Sequence, residues 1–200
     1  MAEIEVVDSG LDSEQLSQLM RSVLTGLWHE YADAAVSLVQ VSAMEITPVS
    51  RYVTAQRLER AARVIAAYDR AGLTAFAPAY VHSSEGVWMM FPPAVEASGQ
   101  GRFLLDGTHR VMAISQLDRL PLVMQMSRAF FGPLPCSPTT WGGYTLVDHQ
   151  PTLAENLADL DLRYFRPLTT YFNSLRFDDL AAARRYVRNL LKEAGDGCRG

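Results

Sequence analysis

Residues 104–110, Leu-Leu-Asp-Gly-Thr-His-Arg, put a carboxylate, a hydroxyl, an imidazole and a guanidinium on one bend of chain. The run "RFLLD" (102–106) reads as a buried strand, and "GTHRVMAISQLDR" (107–119) as a helix that begins at the glycine. The first amides of a helix have no carbonyl one turn earlier and lie at the positive end of its dipole. A strand that turns into a helix here therefore favours a phosphate. Gly107 permits a tight turn and a close backbone approach, Arg110 offers a planar fork for phosphate oxygens, and His109 can donate a hydrogen bond or carry charge. Asp106 would repel a phosphate unless something intervenes. It could hold a Mg²⁺ that bridges phosphates, or accept the proton of an attacking hydroxyl. Read alone, the same residues serve equally as a helix start, with Asp106 as the cap and His109 and Arg110 in surface pairs.

The elements that must position this turn follow from periodicity. Leu16, Leu19, Met20, Val23, Leu24 and Leu27 form one apolar stripe over 12–31, with Asp12 and Gln15 spaced as a capping box and His29 and Glu30 near its end. Residues 35–46 read as a strand and 54–72 as a long helix, with Thr54 as N-cap, Gly72 at C′, and Leu58, Ala62, Ile65 and Tyr68 or Ala61 as its buried face. Arg57, Arg60, Arg63 and Arg70 on this helix are expected in solvent or paired with Glu59 and Asp69. Strands are expected at 77–83 and 121–127, with a hairpin carrying "VWMMF" between 84 and 101. Beyond a turn-rich stretch (130–144), helices are expected at 152–161 and 177–195, the latter capped by Asp178 or Asp179 and closed by Gly195.

This order of elements resembles the ParB/sulfiredoxin-like superfamily over about residues 36 to 127. The resemblance rests on "MEITPVSR" (44–51), the helix at 54–72, "APAYV" (77–81), "FLLDGTHRVMAI" (103–114) and "PLVMQM" (121–126). It implies an α+β fold, a mixed sheet flanked by helices, with an N-terminal helix (1–34), a nucleotide-binding core (35–128) and a mostly helical C-terminal extension (129–200). It also implies that Gly107, Thr108, His109, Arg110 and Arg51 hold the phosphates of ATP, ADP or CTP. Sulfiredoxins carry a reactive cysteine where this chain has Thr108, which argues against sulfinic acid reduction. ParB proteins carry the Gly-x-x-Arg spacing but continue into a helix-turn-helix, and no such pattern follows residue 127.

The nearest motif is the Asp-Gly-His-His-Arg of free-serine kinases. By that likeness Asp106 is the catalytic base and a Mg²⁺ ligand, and the reaction is phosphoryl transfer to a small hydroxyl-bearing metabolite such as an amino acid. A second acid is expected after the I-x-P element. Ser50 and Arg51 stand there instead, which leaves Glu45, or Glu59, as its substitute. Two alternatives stay open: a nucleotide-binding regulatory or interaction module without kinase activity, and a ParB-like nuclease. A homodimer is left open as well.

Composition narrows these classes. A 48% hydrophobic, 20% charged chain of 200 residues is that of an ordinary globular protein. Its formal charge of −4 argues against DNA as partner. Lys192 is the only lysine, so no Walker phosphate loop exists and arginines must serve any phosphate. Cys136 and Cys198 lack metal or disulfide spacing. No segment approaches the ~18 apolar residues of a membrane span and no leader pattern opens the chain, so the expected compartment is the cytoplasm. His82 with Glu85, Asp148 with His149, and Trp141 beside two glycines are lesser candidates for site residues.

Overall fold

In a computed structural model the chain adopts an α+β architecture; the described residues are 3–27, 31–166, 168, 172 and 175–197, and among them lie three sheets and five helices. His29 and Glu30 lie outside them. A four-stranded antiparallel sheet has the order β1 (Glu5–Asp8), β5 (Ala79–Ser83), β6 (Gly86–Met90), β11 (Arg176–Phe177). A five-stranded sheet has the order β2 (Ala35–Gln40), β9 (Leu122–Ser127), β7 (Ala94–Ser98), β8 (Gly101–Asp106), β3 (Thr47–Pro48). Pro48, which has no amide proton to donate, sits on the edge strand, where the loss costs least. A two-stranded parallel ribbon joins β4 (Tyr52–Thr54) to β10 (Thr145–Val147).

Among the described residues, five helices pack with these sheets. The first, α1 (Ser13–Leu27), starts at the expected capping box: the Gln15 amide donates to Asp12 Oδ1 (2.8 Å) and the Asp12 amide to Gln15 Oε1 (3.1 Å). The second, α2 (Ala55–Arg70), follows Thr54 and ends at Gly72, whose φ of +69° is the left-handed turn expected at C′. The third, α3 (Thr108–Ser115), is shorter than the 107–119 expected. The fourth, α4 (Leu153–Asn156), is a single turn with a Thr152–Glu155 capping box. The last, α5 (Leu180–Gly197), is capped by Asp179, which accepts from the Ala182 amide (2.7 Å), and runs past Gly195.

Three expectations need correction. The apolar run at 35–46 is a strand only to Gln40, because Ser42 caps a short 3-10 helix at Ala43–Glu45. On α2 the inward positions are Ala61, Val64, Ile65, Ala67 and Tyr68, while Ala62 faces solvent. Among the described residues after 128, the helix expected at 152–161 is the single turn Leu153–Asn156, and two strands pair with earlier ones: β10 with β4 and β11 with β6.

Strand alternation explains the layering. On β5 and β6, Tyr80, Val87 and Met89 face a core built with Leu19, Met20 and Leu24 of α1 and Ala183 and Val187 of α5. The opposite face of that sheet (Ala79, Val81, Trp88, Met90) meets α2 and the Ala113–Ile114 side of α3. Val111, on another side of α3, packs with Val95, Leu104 and Val123 of the five-stranded sheet. The short helix after the Asp-Gly turn is thus wedged between α2 and that sheet, which fixes its direction.

A charged tie secures the later chain to β7. Glu96 and Arg166 are 2% and 1% exposed at their side chains. Arg166 Nε donates to Glu96 Oε1 (3.0 Å), and the Tyr31 hydroxyl donates to the same oxygen (2.6 Å). The guanidinium also reaches the carbonyls of Phe131 (3.2 Å), Pro133 (3.0 Å) and Tyr164. Burial, and next the adjacent Glu96 carboxylate, hold the Tyr31 hydroxyl well above its ordinary range, so it stays a donor.

Candidate functional site

Strand β8 delivers Asp106 to a turn at Gly107, and α3 starts one residue later. Gly107 is the N-cap, with a φ of +95°. A Cβ there would lie 2.7 Å from Pro93 Cβ and 2.9 Å from its Cα, so both the dihedral and the close approach of Pro93 require glycine. Asp106 is therefore not the helix cap. Its Oδ2 accepts from Arg110 Nη2 at 2.5 Å, the i, i+4 spacing placing the guanidinium back over the turn. Arg110 also donates to the Phe91 carbonyl and lies 5.8 Å from the centroid of the Phe76 ring.

These groups line a cleft of about 410 Å³ between α2, β6 and the Asp-Gly turn. Four guanidinium groups face it: Arg57 and Arg60 from the first turns of α2, Arg110, and Arg176 from β11. Asp106 is the one carboxylate in the wall among the described residues. Arg57 has no ion-pair partner among the described residues. Arg60 and Arg176 share Glu85 Oε2 (3.2 and 3.6 Å) at the rim, not Glu59, and Asp69 pairs with Arg119. In an acidic chain this is a local positive basin.

Aromatic rings supply the remaining wall. Trp88 is half-buried with the Arg60 guanidinium 5.5 Å from its ring centroid, and Phe91 stacks on Phe172 (5.1 Å, 20°). Phe76 is buried and holds φ at +61°, an uncommon conformation for a bulky side chain that costs about 1–3 kcal/mol and concentrates at ligand sites.

His109 faces the same cleft as a neutral ring. The Thr54 amide donates to its Nε2 (3.0 Å), which places the remaining proton on Nδ1. Burial foremost, and then the Arg57 charge, push its pKa down to about 4. Of the two contributions expected of His109, charge is removed and donation from Nδ1 is retained. Thr54 is the N-cap of α2, but its hydroxyl makes no cap hydrogen bond and lies 3.4 Å from His109 Nε2.

The fold thus brings Asp106, Gly107, His109 and Arg110 together and leaves three expected residues elsewhere. Thr108 is 5% exposed and does not line the cleft. Glu45 closes the 3-10 helix and pairs with Arg102 (2.8 Å) on the outer surface. Arg51 is exposed over the Tyr52 ring, its amide bound to the Asn156 carbonyl (2.8 Å). Arg57, Arg60, Trp88 and Arg176 were not foreseen as site residues. The available sequence signal was the i, i+3 pair of arginines opening the helix after Thr54; nothing local foretold Arg176. A resident Mg²⁺ does not fit this donor set, because the one carboxylate in the wall is held by Arg110 and no group of three or more His, Cys, Asp or Glu side chains among the described residues could hold a metal.

Of the lesser candidates, His82 Nδ1 lies 3.8 Å from Glu5 on the surface, and Trp141 ties the 3-10 helix by donating to the carbonyls of Ala43 (2.7 Å) and Ile46 (2.9 Å). The buried Cys136 thiol is pushed up to about 11 by burial, which suits packing, not nucleophilic attack. No helix among the described residues is long and apolar enough to cross a membrane. Comparison with protein-family models, curated proteins and solved structures returns no match.

Proposed function

We propose that this cleft binds a nucleoside polyphosphate and that the chain works as a nucleotide-binding module built on a ParB/sulfiredoxin-like core. One observation carries the reading: four arginines, with one carboxylate among them, face a concavity walled by aromatic rings at a strand-to-helix turn. Guanidinium forks and the first amides of α3 suit phosphate oxygens, and the rings suit a base. The volume of about 410 Å³ is in the range of small-molecule sites.

Calorimetry with ATP, ADP and CTP tests the reading. Arg57→Gln, an exposed change, is expected to weaken binding by about tenfold, the scale of one charge-assisted hydrogen bond. Absence of binding of every nucleotide to the wild-type chain refutes it.

Phosphoryl transfer to a small hydroxyl compound is the second reading, favoured by the position of Asp106 in the wall. A γ-phosphate that draws Arg110 to itself weakens the ion pair at Asp106 Oδ2, and that carboxylate can accept a substrate proton while the guanidinium offsets the phosphoryl charge. Incubation with γ-labelled nucleotide and a panel of amino acids and alcohols separates the two. Transfer that is lost in Asp106→Asn establishes the kinase; nucleotide binding without transfer establishes the module.

A further inference from the structure

We infer that Phe76 is a positioning residue: its ring holds the Arg110 guanidinium in the orientation in which the cleft receives a phosphate group. The inference rests on the nucleotide reading above and deepens it. Phe76 sits between α2 and β5 in a tight turn, where the Ala77 amide donates to the Thr74 carbonyl (3.0 Å). It takes the third position of that turn with φ at +61°, a place that the backbone alone gives to glycine or asparagine. The turn is tied a second time by the Tyr68 hydroxyl, which donates to the Ala77 carbonyl (2.6 Å).

The ring held there serves two surfaces. It packs beside Tyr68 in the core, with centroids 6.0 Å apart, and it lines the cleft, with Arg110 Cζ 5.8 Å from its centroid. Core packing accounts for an apolar side chain at this position. The guanidinium accounts for an aromatic one, because a ring face attracts a cation and an aliphatic chain does not. Arg110 is 17% exposed at its side chain and meets three further groups: Asp106 Oδ2 (2.5 Å), the Met90 sulfur (3.5 Å) and the Phe91 carbonyl. Asp106 is an anion and competes with a phosphate for the same guanidinium. The ring is neutral, so it orients the cation without competing with the phosphate for charge. A guanidinium that is already ordered loses less freedom when the ligand arrives, which raises affinity.

The test is calorimetry on the full chain with ATP and with inorganic tripolyphosphate, which has no base to stack on the ring. Phe76→Leu is expected to weaken both by about three- to tenfold, the cost of ordering one side chain. Phe76→Tyr, which keeps the ring, should stay within about twofold of wild type. In an Arg110→Gln background the further loss from Phe76→Leu should vanish, and in an Arg57→Gln background it should persist in full. Ile65→Ala, in the same core and outside the cleft wall, should lower the melting temperature and leave both affinities unchanged. A melting curve establishes that each variant is folded; Phe76→Met stands in for an unfolded Phe76→Leu, and Arg110→Met for an unfolded Arg110→Gln. Unchanged affinity in Phe76→Leu overturns the inference, as does a loss that persists without Arg110 or one shared by Phe76→Tyr or Ile65→Ala. A loss seen with ATP alone also overturns it, since the ring then stacks on the base, and so does a wild-type chain that binds ATP without binding tripolyphosphate. Failure of ATP to bind the wild-type chain is a separate result, and it overturns the nucleotide reading of the cleft itself.

Discussion

Replacing Arg166 with methionine leaves the Glu96 carboxylate buried without its guanidinium, and it also strips a donor from the carbonyls of Phe131, Pro133 and Tyr164. Both side chains are almost fully excluded from water, so the surviving charge cannot be solvated where it stands. Removing one member of such a pair costs about 3–5 kcal/mol. For a chain of this size that is a fall in Tm of about 6–20 °C. Glu96→Leu is expected to cost a similar amount, through a buried guanidinium that has lost this carboxylate. The double variant Glu96→Leu/Arg166→Met removes both charges, so its cost should be well below the sum of the two, by at least about 2 kcal/mol of coupling. Tyr31→Phe deletes only a hydrogen bond to a charged acceptor and should cost about 1–3 kcal/mol. Urea unfolding followed by circular dichroism on the four variants measures all of this. Single variants within about 1 kcal/mol of wild type, or strictly additive costs, refute the view that this buried pair clamps the later chain to β7.

Three further outcomes follow from the site. Gly107→Ala forces a Cβ against Pro93 and strains a φ of +95°; it should destabilise by about 1–3 kcal/mol and weaken nucleotide binding, read by urea unfolding and calorimetry. His109 binds its proton less readily folded (about 4) than unfolded (6.5), so the unfolded state gains protons between these values and stability falls as pH drops through that window, with no contribution above it. The slope of Tm against pH from 6.5 to 4 should therefore flatten in His109→Gln. Glu85→Gln frees Arg60 and Arg176 from exposed pairs worth little each, and should tighten triphosphate binding by about three- to tenfold. That gain should vanish in an Arg60→Gln/Arg176→Gln background, whereas a plain long-range charge effect would persist there.

The capping box at Asp12–Gln15, the left-handed exit at Gly72 and the strand-to-helix turn at Asp106–Gly107 were all readable from the sequence, because each depends on residues within four positions of one another. The chemistry of the turn was readable only as a set of options, and the tertiary structure selected among them. Whether Asp106 caps a helix or faces a cleft depends on Pro93, which presses on Gly107, and on Arg110, whose guanidinium is fixed by the Phe91 carbonyl and the Phe76 ring. Thr108 and His109 are neighbours in the chain, yet the hydroxyl is buried away from the cleft and the imidazole faces it as a neutral ring. That difference is set by which sides of α3 meet α2 and the five-stranded sheet. Glu45 and Arg51 lie close in sequence to the element expected to complete the site, but a 3-10 turn and a backbone tie to Asn156 carry them elsewhere. Arg57, Arg60, Trp88 and Arg176 come from three elements that are distant in sequence and meet only when α2 and β11 pack around β6. Local periodicity fixes which residues form a strand or a helix; the charge and shape of a cleft are sums over elements, and they exist only once those elements are packed.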